Sequence, residues 1–164
     1  MNRTQDLDAT LPAARPAAEL AGLPDMLFTA LRRAEAAVLL DLHEAFASED
    51  MRALGYAAMV VLKQNPGMRQ SQVSFALGIR ATNFIPLLDG LEKRGLTERR
   101  GVPGDRRAKG LFLTGLGADT LARLAGLANA HEARLLARLG ADGRQQLLSL
   151  LHRLSDSAFD PVAA

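Results

Sequence analysis

The sequence predicts a mainly α fold carrying one small β-hairpin, and three observations predict it. Apolar residues recur at helical spacing over most of the chain. The period changes between Leu96 and Leu113, where two short runs flank a Gly/Pro turn. Glycine or Asn-Pro-Gly closes each expected helix of the middle section. With 164 residues, 48% of them apolar, the chain suits one compact domain with a real core.

Residues 1–24 are Ala/Pro-rich and weakly periodic, so they read as a flexible arm. Pro24-Asp25 marks a helix start. Leu27, Leu31, Ala34, Val38, Leu42 and Ala45 then place a long amphipathic helix from Met26 to about Ala47. Phe28, Leu39 and Phe46 widen its apolar face beyond what one partner helix needs. A second helix is expected over about Leu54–Gln64, stopped by Asn65-Pro66-Gly67. A third covers about Gln70–Leu77, with Ser71 as candidate N-cap and Gly78 just past its end. A fourth runs from about Ala81 to Arg94 and ends at Gly95, burying Phe84, Leu87, Leu88 and Leu91 against Val73, Leu77 and Ile79. Pro86 is expected in its first turns, where a missing N–H costs least. Gly90, in mid-helix, costs about 1 kcal/mol relative to alanine.

Leu96–Arg100 and Ala108–Leu113 are the hairpin strands, joined by the turn Gly101–Asp105. Thr114 is placed to cap a long helix reaching about Leu139, with Leu121, Leu124, Ala128, Leu135 and Leu139 along one side. Gly140 ends that helix, and Asp142 starts a last one to about Leu154. Residues 156–164 read as a tail.

Composition excludes several kinds of chemistry. The chain has no Cys, hence no disulfide, no thiolate metal site and no cysteine redox switch. It has no Trp, one Tyr and six Phe, too few for a stacking platform for single strands. No apolar run approaches the roughly 20 residues that span a bilayer. The acidic N-terminal stretch, broken by Pro12 and Pro16, does not have the pattern of a signal peptide, so the expected location is the cytoplasm. His43, His131 and His152 are scattered without metal-ligand spacing, and no nucleophile or nucleotide-binding motif is present, so neither an enzyme nor a metal site nor a cofactor is expected. His131 and His152 read as interface or surface residues.

The formal net charge is only +2, but it is segregated. Lys93, Arg94, Arg99, Arg100, Arg106, Arg107 and Lys109 face only Glu98 and Asp105, which makes +5 over 17 residues. The rest of the chain is therefore −3, and residues 41–50 (DLHEAFASED) hold four acids and no Lys or Arg. Such a segment is either a local anion-binding feature or a solvated, charge-rich hairpin.

The order of elements has a physical reading. In a helix–turn–helix the second helix lies across a major groove, and a basic hairpin beside it reaches the backbone and the adjacent minor groove. The long flanking helices carry more apolar surface than so small a domain needs internally, and a homodimer interface is the natural place for it. Residues 25–155 thus form one expected unit, with a DNA-binding lobe at about 54–114 and dimerisation helices at about 25–48 and 115–155.

Pro66–Thr114 resembles the centre of a MarR-type winged-helix transcriptional regulator. The features that carry the resemblance are Leu77-Gly78, Leu91-Glu92 followed by Gly95-Leu96, Arg99-Arg100, Asp105-Arg106-Arg107 and Leu113-Thr114, in that order. It implies a winged helix-turn-helix lobe and a homodimer on a pseudo-palindromic operator, repressing until a small molecule releases it. It further implies an effector of the aromatic-acid or acyl-CoA type. A peroxide-sensing branch of the family uses cysteine, which this chain lacks.

On that resemblance Asp105 braces the wing while Arg106 and Arg107 enter the minor groove. Asp105 and Arg107, two apart in a strand, share a face and can pair, which also describes a simple surface salt bridge. Arg80, Ala81, Thr82, Asn83 and Pro86 occupy the first two turns of the recognition helix. Asn83 suits adenine and Arg80 suits guanine or phosphate, while Thr82 or Asn83 can instead cap the helix. Ser71 and Gln72 suit phosphate at the preceding helix start, although Ser71 also suits a cap. Arg100 and Lys109 complete the expected DNA surface, with Lys93, Arg94 and Arg99 as phosphate contacts or solvated charge.

The resemblance places the effector between the dimerisation helices and the DNA-binding lobe. Arg32 and His43 border Phe28, Leu39 and Phe46, an apolar wall with a cation at its edge. Tyr56, Met59 and Phe112 line the same space or belong to the core. The expected function is a ligand-responsive repressor that binds double-stranded DNA. The alternatives are a ligand-independent architectural DNA binder and a winged-helix protein-interaction module.

Overall fold

A computed structural model describes residues 26–102 and 105–155, with side chains over 26–101 and 109–155. The expected arm 1–24, the tail 156–164, and Pro103 and Gly104 at the wing tip lie outside the described residues. The elements in chain order are α1 (Leu27–Ala45), a 3-10 turn (Ala47–Glu49), α2 (Ala53–Gln64), α3 (Gln70–Ala76), α4 (Ala81–Lys93), β1 (Thr97–Val102), β2 (Asp105–Leu113) and α5 (Gly115–Ser155). The helices α1 to α4 lie close to their expected ranges; the 3-10 turn is additional, the strands run on into the expected turn to Val102 and from Asp105, and the two helices expected after Thr114 form one element, α5.

The chain divides into two units between Val38 and Leu39, inside α1. In the first unit, α1 presents Met26, Leu27, Phe28 and Leu31 to solvent, and Arg32 pairs with Glu35 one turn on, at 3.0 Å. The second unit holds the remaining elements. Its core joins Phe46, Met59 and Leu62 to Val73, Phe84, Leu88 and Leu91, and these to Leu111, Leu121 and Leu124.

Both helices of the helix–turn–helix end by the same device. Gly78 takes φ 65° after α3, and Gly95 takes φ 69° after α4. The next residue's N–H then folds back: Ile79 donates to the Ser74 carbonyl at 3.0 Å and Leu96 to the Leu91 carbonyl at 2.9 Å. This is the glycine-terminated Schellman motif, and a Cβ at either position would be strained. Thr114 caps α5 as expected: its hydroxyl accepts the Gly117 N–H at 2.9 Å. The same hydroxyl donates to the Gly95 carbonyl at 2.6 Å, which ties the end of α4 to the start of α5. Gly140, at φ 68° and ψ 165°, leaves helical geometry inside α5 at the expected break.

The strands pair antiparallel, from Thr97↔Leu113 to Gly101↔Lys109, and the register then jumps to Val102↔Asp105. Among the described residues the backbone of 106–108 therefore has no partner on β1, so Arg106 and Arg107 stand in a bulge at the wing. Met68 adds a bridge to Leu111 on the outer edge of β2, so the segment expected only to stop α2 also extends the sheet.

Three local expectations are corrected. Ser71 does not cap α3: the N-cap is Arg69, whose N–H donates to the Gln72 side chain at 2.8 Å. Pro86 is the sixth residue of α4 rather than part of its free first turn, so it removes the i+4 donor of the exposed Thr82 carbonyl. His131 is not a surface histidine. It is 3% exposed and occupies the next position of the buried stripe Leu121, Leu124, Ala128.

Candidate nucleic-acid interface and ligand cavity

The start of α4 is bare. Arg80, Ala81, Thr82, Asn83, Ile85 and Pro86 are exposed, because the helix turns Phe84, Leu88 and Leu91 inward. Arg80 is the N-cap and no side chain caps this helix, so Thr82 and Asn83 are not engaged as caps. Ser71 and Gln72 are exposed on α3, with Gln72 held by the Arg69 N–H. Ile85, 43% exposed, was missed by sequence reasoning; an exposed β-branched residue in the first turns of this helix was its signal.

The basic segment is less available than its count. Arg94 donates to the backbone carbonyls of Asp50 at 2.5 Å and Glu49 at 2.9 Å. Arg99 bridges back to α4, 3.4 Å from Asp89 and 3.3 Å from Glu92. Arg100 pairs with Glu98, pulling that carboxyl below its ordinary range, and lies over the Phe112 ring. Phe112 thus belongs to the wing. Lys93 and Lys109 are exposed and pair with no acid among the described residues. The side chains of Asp105, Arg106 and Arg107 lie outside the described residues.

Behind α4 lies a cavity of about 740 Å³. Its walls come from three helices and the corner between α1 and α2 (residues 46–52). The end of α1 supplies Leu39 and His43; the corner and α2 supply Asp50, Met51, Arg52, Ala53, Leu54 and Gly55; α4 supplies Asn83, Pro86, Leu87, Gly90, Leu91 and Arg94. The size suits a drug-sized ligand, and apolar walls with a few polar groups are the usual chemistry of such sites. Of its basic side chains, Arg94 is committed to backbone carbonyls, whereas Arg52 is exposed, as is the His43 ring.

The sequence-predicted effector residues are dispersed. Leu39 and His43 line the cavity. Phe46 and Met59 are 0% exposed and sit in the core, and Tyr56 packs on Phe46 with ring centroids 5.0 Å apart. Burial pushes the Tyr56 phenol up, and the Glu132 charge adds to this. Phe28 and Arg32 belong to the first unit, where Arg32 is paired with Glu35.

The corner that walls the cavity is firmly held. Asp50 ends the 3-10 turn in the left-handed region, φ 47°, which a non-glycine residue adopts at some cost. Arg94 grips its carbonyl from α4. From α5, Arg123 takes both oxygens of Glu49, at 2.9 and 3.1 Å, and holds that carboxyl below its ordinary range. One turn before the end of α1, Asp41 receives Arg134 at 2.8 and 3.1 Å and also bonds the buried His131. The Arg134 hydrogen bond first, then His131, lowers the Asp41 carboxyl from an ordinary 3.8 to about 2.

Known proteins share this fold. A MarR-family transcriptional regulator from Rhodococcus sp. RHA1 has the same fold at TM-score 0.73, with 23% identity over 82% of this chain and 96% of that one. The transcriptional repressor CouR bound to a 23-mer DNA duplex superposes at TM-score 0.77 and is 39% identical, covering 83% of this chain and 96% of that one. The chain belongs to the MarR family of transcriptional regulators. CouR bound to p-coumaroyl-CoA matches this MarR-family chain at TM-score 0.76 and 36% identity, over 83% of this chain and 96% of that one. A protein named as a transcriptional regulator for the hcr operon of Thauera aromatica is 32% identical over 99 residues. That match spans 60% of each of the two chains. No family profile matches the chain. Among the described residues no helix is long and apolar enough to cross a membrane.

Proposed function

We propose that this chain is a ligand-responsive transcriptional repressor that binds a pseudo-palindromic DNA duplex as a homodimer and is released by an aromatic acyl-CoA. One observation carries the reading: α4 has two working faces. Its first two turns are exposed for a major groove, while Asn83, Pro86, Leu87, Gly90 and Arg94 wall the cavity. Any occupant of the cavity therefore touches the helix that reads DNA, and Asn83 and Pro86 stand at both surfaces.

The ligand class follows from the walls. Leu39, Met51, Leu54, Leu87 and Leu91 suit an apolar acyl group, and Arg52 and His43 suit an anionic carrier such as a phosphorylated thioester. The CouR structure with p-coumaroyl-CoA supports this choice. Dimerisation is supported by the late part of α5, where Leu136, Leu139, Leu147, Leu148, Leu150, Leu151 and Leu154 are all exposed. A two-fold dimer sets two recognition helices one DNA turn apart, roughly 10 base pairs. The ligand derepresses only by binding the DNA-incompetent spacing more tightly than the competent one.

The test is a gel-shift titration on duplex DNA flanking the chain's own gene, with and without p-coumaroyl-CoA. The reading predicts a shifted complex that the thioester dissolves, and affinity that falls roughly 10³- to 10⁵-fold between 50 and 200 mM salt if 6–10 phosphates are neutralised. A complex indifferent to every acyl-CoA offered points instead to the architectural alternative. The absence of salt-dependent duplex binding points to a protein-interaction module.

A further inference from the structure

Gly90 sits in the interior of α4, where glycine is a poor helix former. Two ordinary reasons for retaining it are missing. Its backbone does not need glycine, since its φ is not positive. Packing does not need it either: a Cβ built there meets no atom within 4 Å. Gly55, on the opposite wall, is the contrast. A Cβ there would lie 2.9 Å from the Met51 sulfur and 3.7 Å from Leu91 Cδ2, so Gly55 is kept by packing.

The space before Gly90 is the cavity itself. Leu87, Gly90, Leu91 and Arg94 lie at three- and four-residue spacing and line one wall. A side chain at residue 90 would rise from the middle of that wall, between the apolar pair and the arginine. We infer that Gly90 is a specificity-determining residue: its bare backbone is the part of the wall against which a flat, bulky acyl group lies. A longer side chain there would admit only smaller acyl groups. The inference rests on the effector reading above and adds the residue that sets acyl size.

The experiment uses the full chain as wild type, Gly90→Ala and Gly90→Leu. Each is measured for thermal melting, for duplex affinity without ligand, and for p-coumaroyl-CoA affinity by isothermal titration. Both variants should melt no lower than wild type, since the Cβ is unobstructed and helix propensity improves. Duplex affinity without ligand should stay within about twofold in Gly90→Ala, whose single added methyl meets no atom within 4 Å. Thioester affinity should fall slightly in Gly90→Ala and by roughly 10- to 100-fold in Gly90→Leu, as overfilling a site does.

A Gly90→Leu chain that binds p-coumaroyl-CoA as tightly as wild type overturns the inference while leaving the effector reading intact. A Gly90→Ala chain that melts lower or loses duplex affinity also overturns it, because the glycine then serves packing or DNA. A wild-type chain that binds no p-coumaroyl-CoA overturns the effector reading, and the size gate with it.

Discussion

The acidic stretch 41–50 and the basic stretch 93–109 mirror each other in sequence and act differently in the fold. Two of the acids are anchors: Asp41 holds Arg134 and His131, and Glu49 holds Arg123, so they fasten the end of α1 and the corner after it to α5. The basic stretch is divided. Arg94, Arg99 and Arg100 are tied to protein oxygens, while Lys93 and Lys109 pair with no acid among the described residues and the backbone of Arg106 and Arg107 lies in the wing bulge. A formal +5 therefore overstates the charge ready for phosphate, and two of the four acids, Asp41 and Glu49, are structural anchors.

The largest expected effect tests the wing end of the basic stretch. Replacing Arg106 and Arg107 by alanine should weaken operator binding by roughly two to three orders of magnitude, since a dimer loses four groove or backbone cations. Melting temperature and dimer mass should be unchanged. Undiminished affinity by fluorescence anisotropy would move DNA recognition away from the wing.

The next tests the acidic half. The folded Asp41 carboxyl is depressed, so its stabilisation is complete above about pH 4 and disappears as pH falls from 3.8 towards 2. Asp41→Asn should have a lower urea midpoint than wild type at pH 7, and that gap should close across this acid window. A gap that persists at pH 2 would mean that packing around His131, not the ion pair, fastens α5 to α1.

The split within the basic stretch predicts unequal salt slopes. Lys109→Ala should reduce the slope of log affinity against log salt by about 2 per dimer, one phosphate contact on each protomer. Arg99→Ala should change it much less, because that guanidinium already faces Asp89 and Glu92. Equal slopes would put Arg99 on DNA as well. The smallest effect is expected for Arg94→Lys, which keeps the charge but loses the fork that reaches two carbonyls. Faster amide exchange around Asp50 with an unchanged salt slope is the expected signature.

Local chemistry made the fold legible. Gly78, Gly95, Thr114 and Gly140 each marked a boundary that the structure keeps, because caps and left-handed turns depend on residues within a few positions. The ion pairs had no such mark. Arg123 lies 74 residues from Glu49, and His131 lies 90 from Asp41, so no spacing rule connects them. Yet His131 continued the stripe Leu121, Leu124, Ala128, and that position alone argued for burial. The cavity was half legible. Leu39 and His43 followed from the apolar face of α1, whereas Arg52, Gly90 and Arg94 come from other elements. Asn83, Leu87, Gly90 and Arg94 do repeat at helical spacing, a second face on α4 that a search for one apolar stripe passes over.

On the proposed function, DNA reading and ligand binding are coupled through the two faces of α4. Coupling between two sites is reciprocal, so the most direct measurement is the p-coumaroyl-CoA dissociation constant with and without saturating operator duplex. Thioester binding should be weaker on the duplex-bound protein, by the same factor by which the thioester weakens duplex binding and by at least about tenfold. Equal thioester affinity for the free and the duplex-bound protein would contradict it.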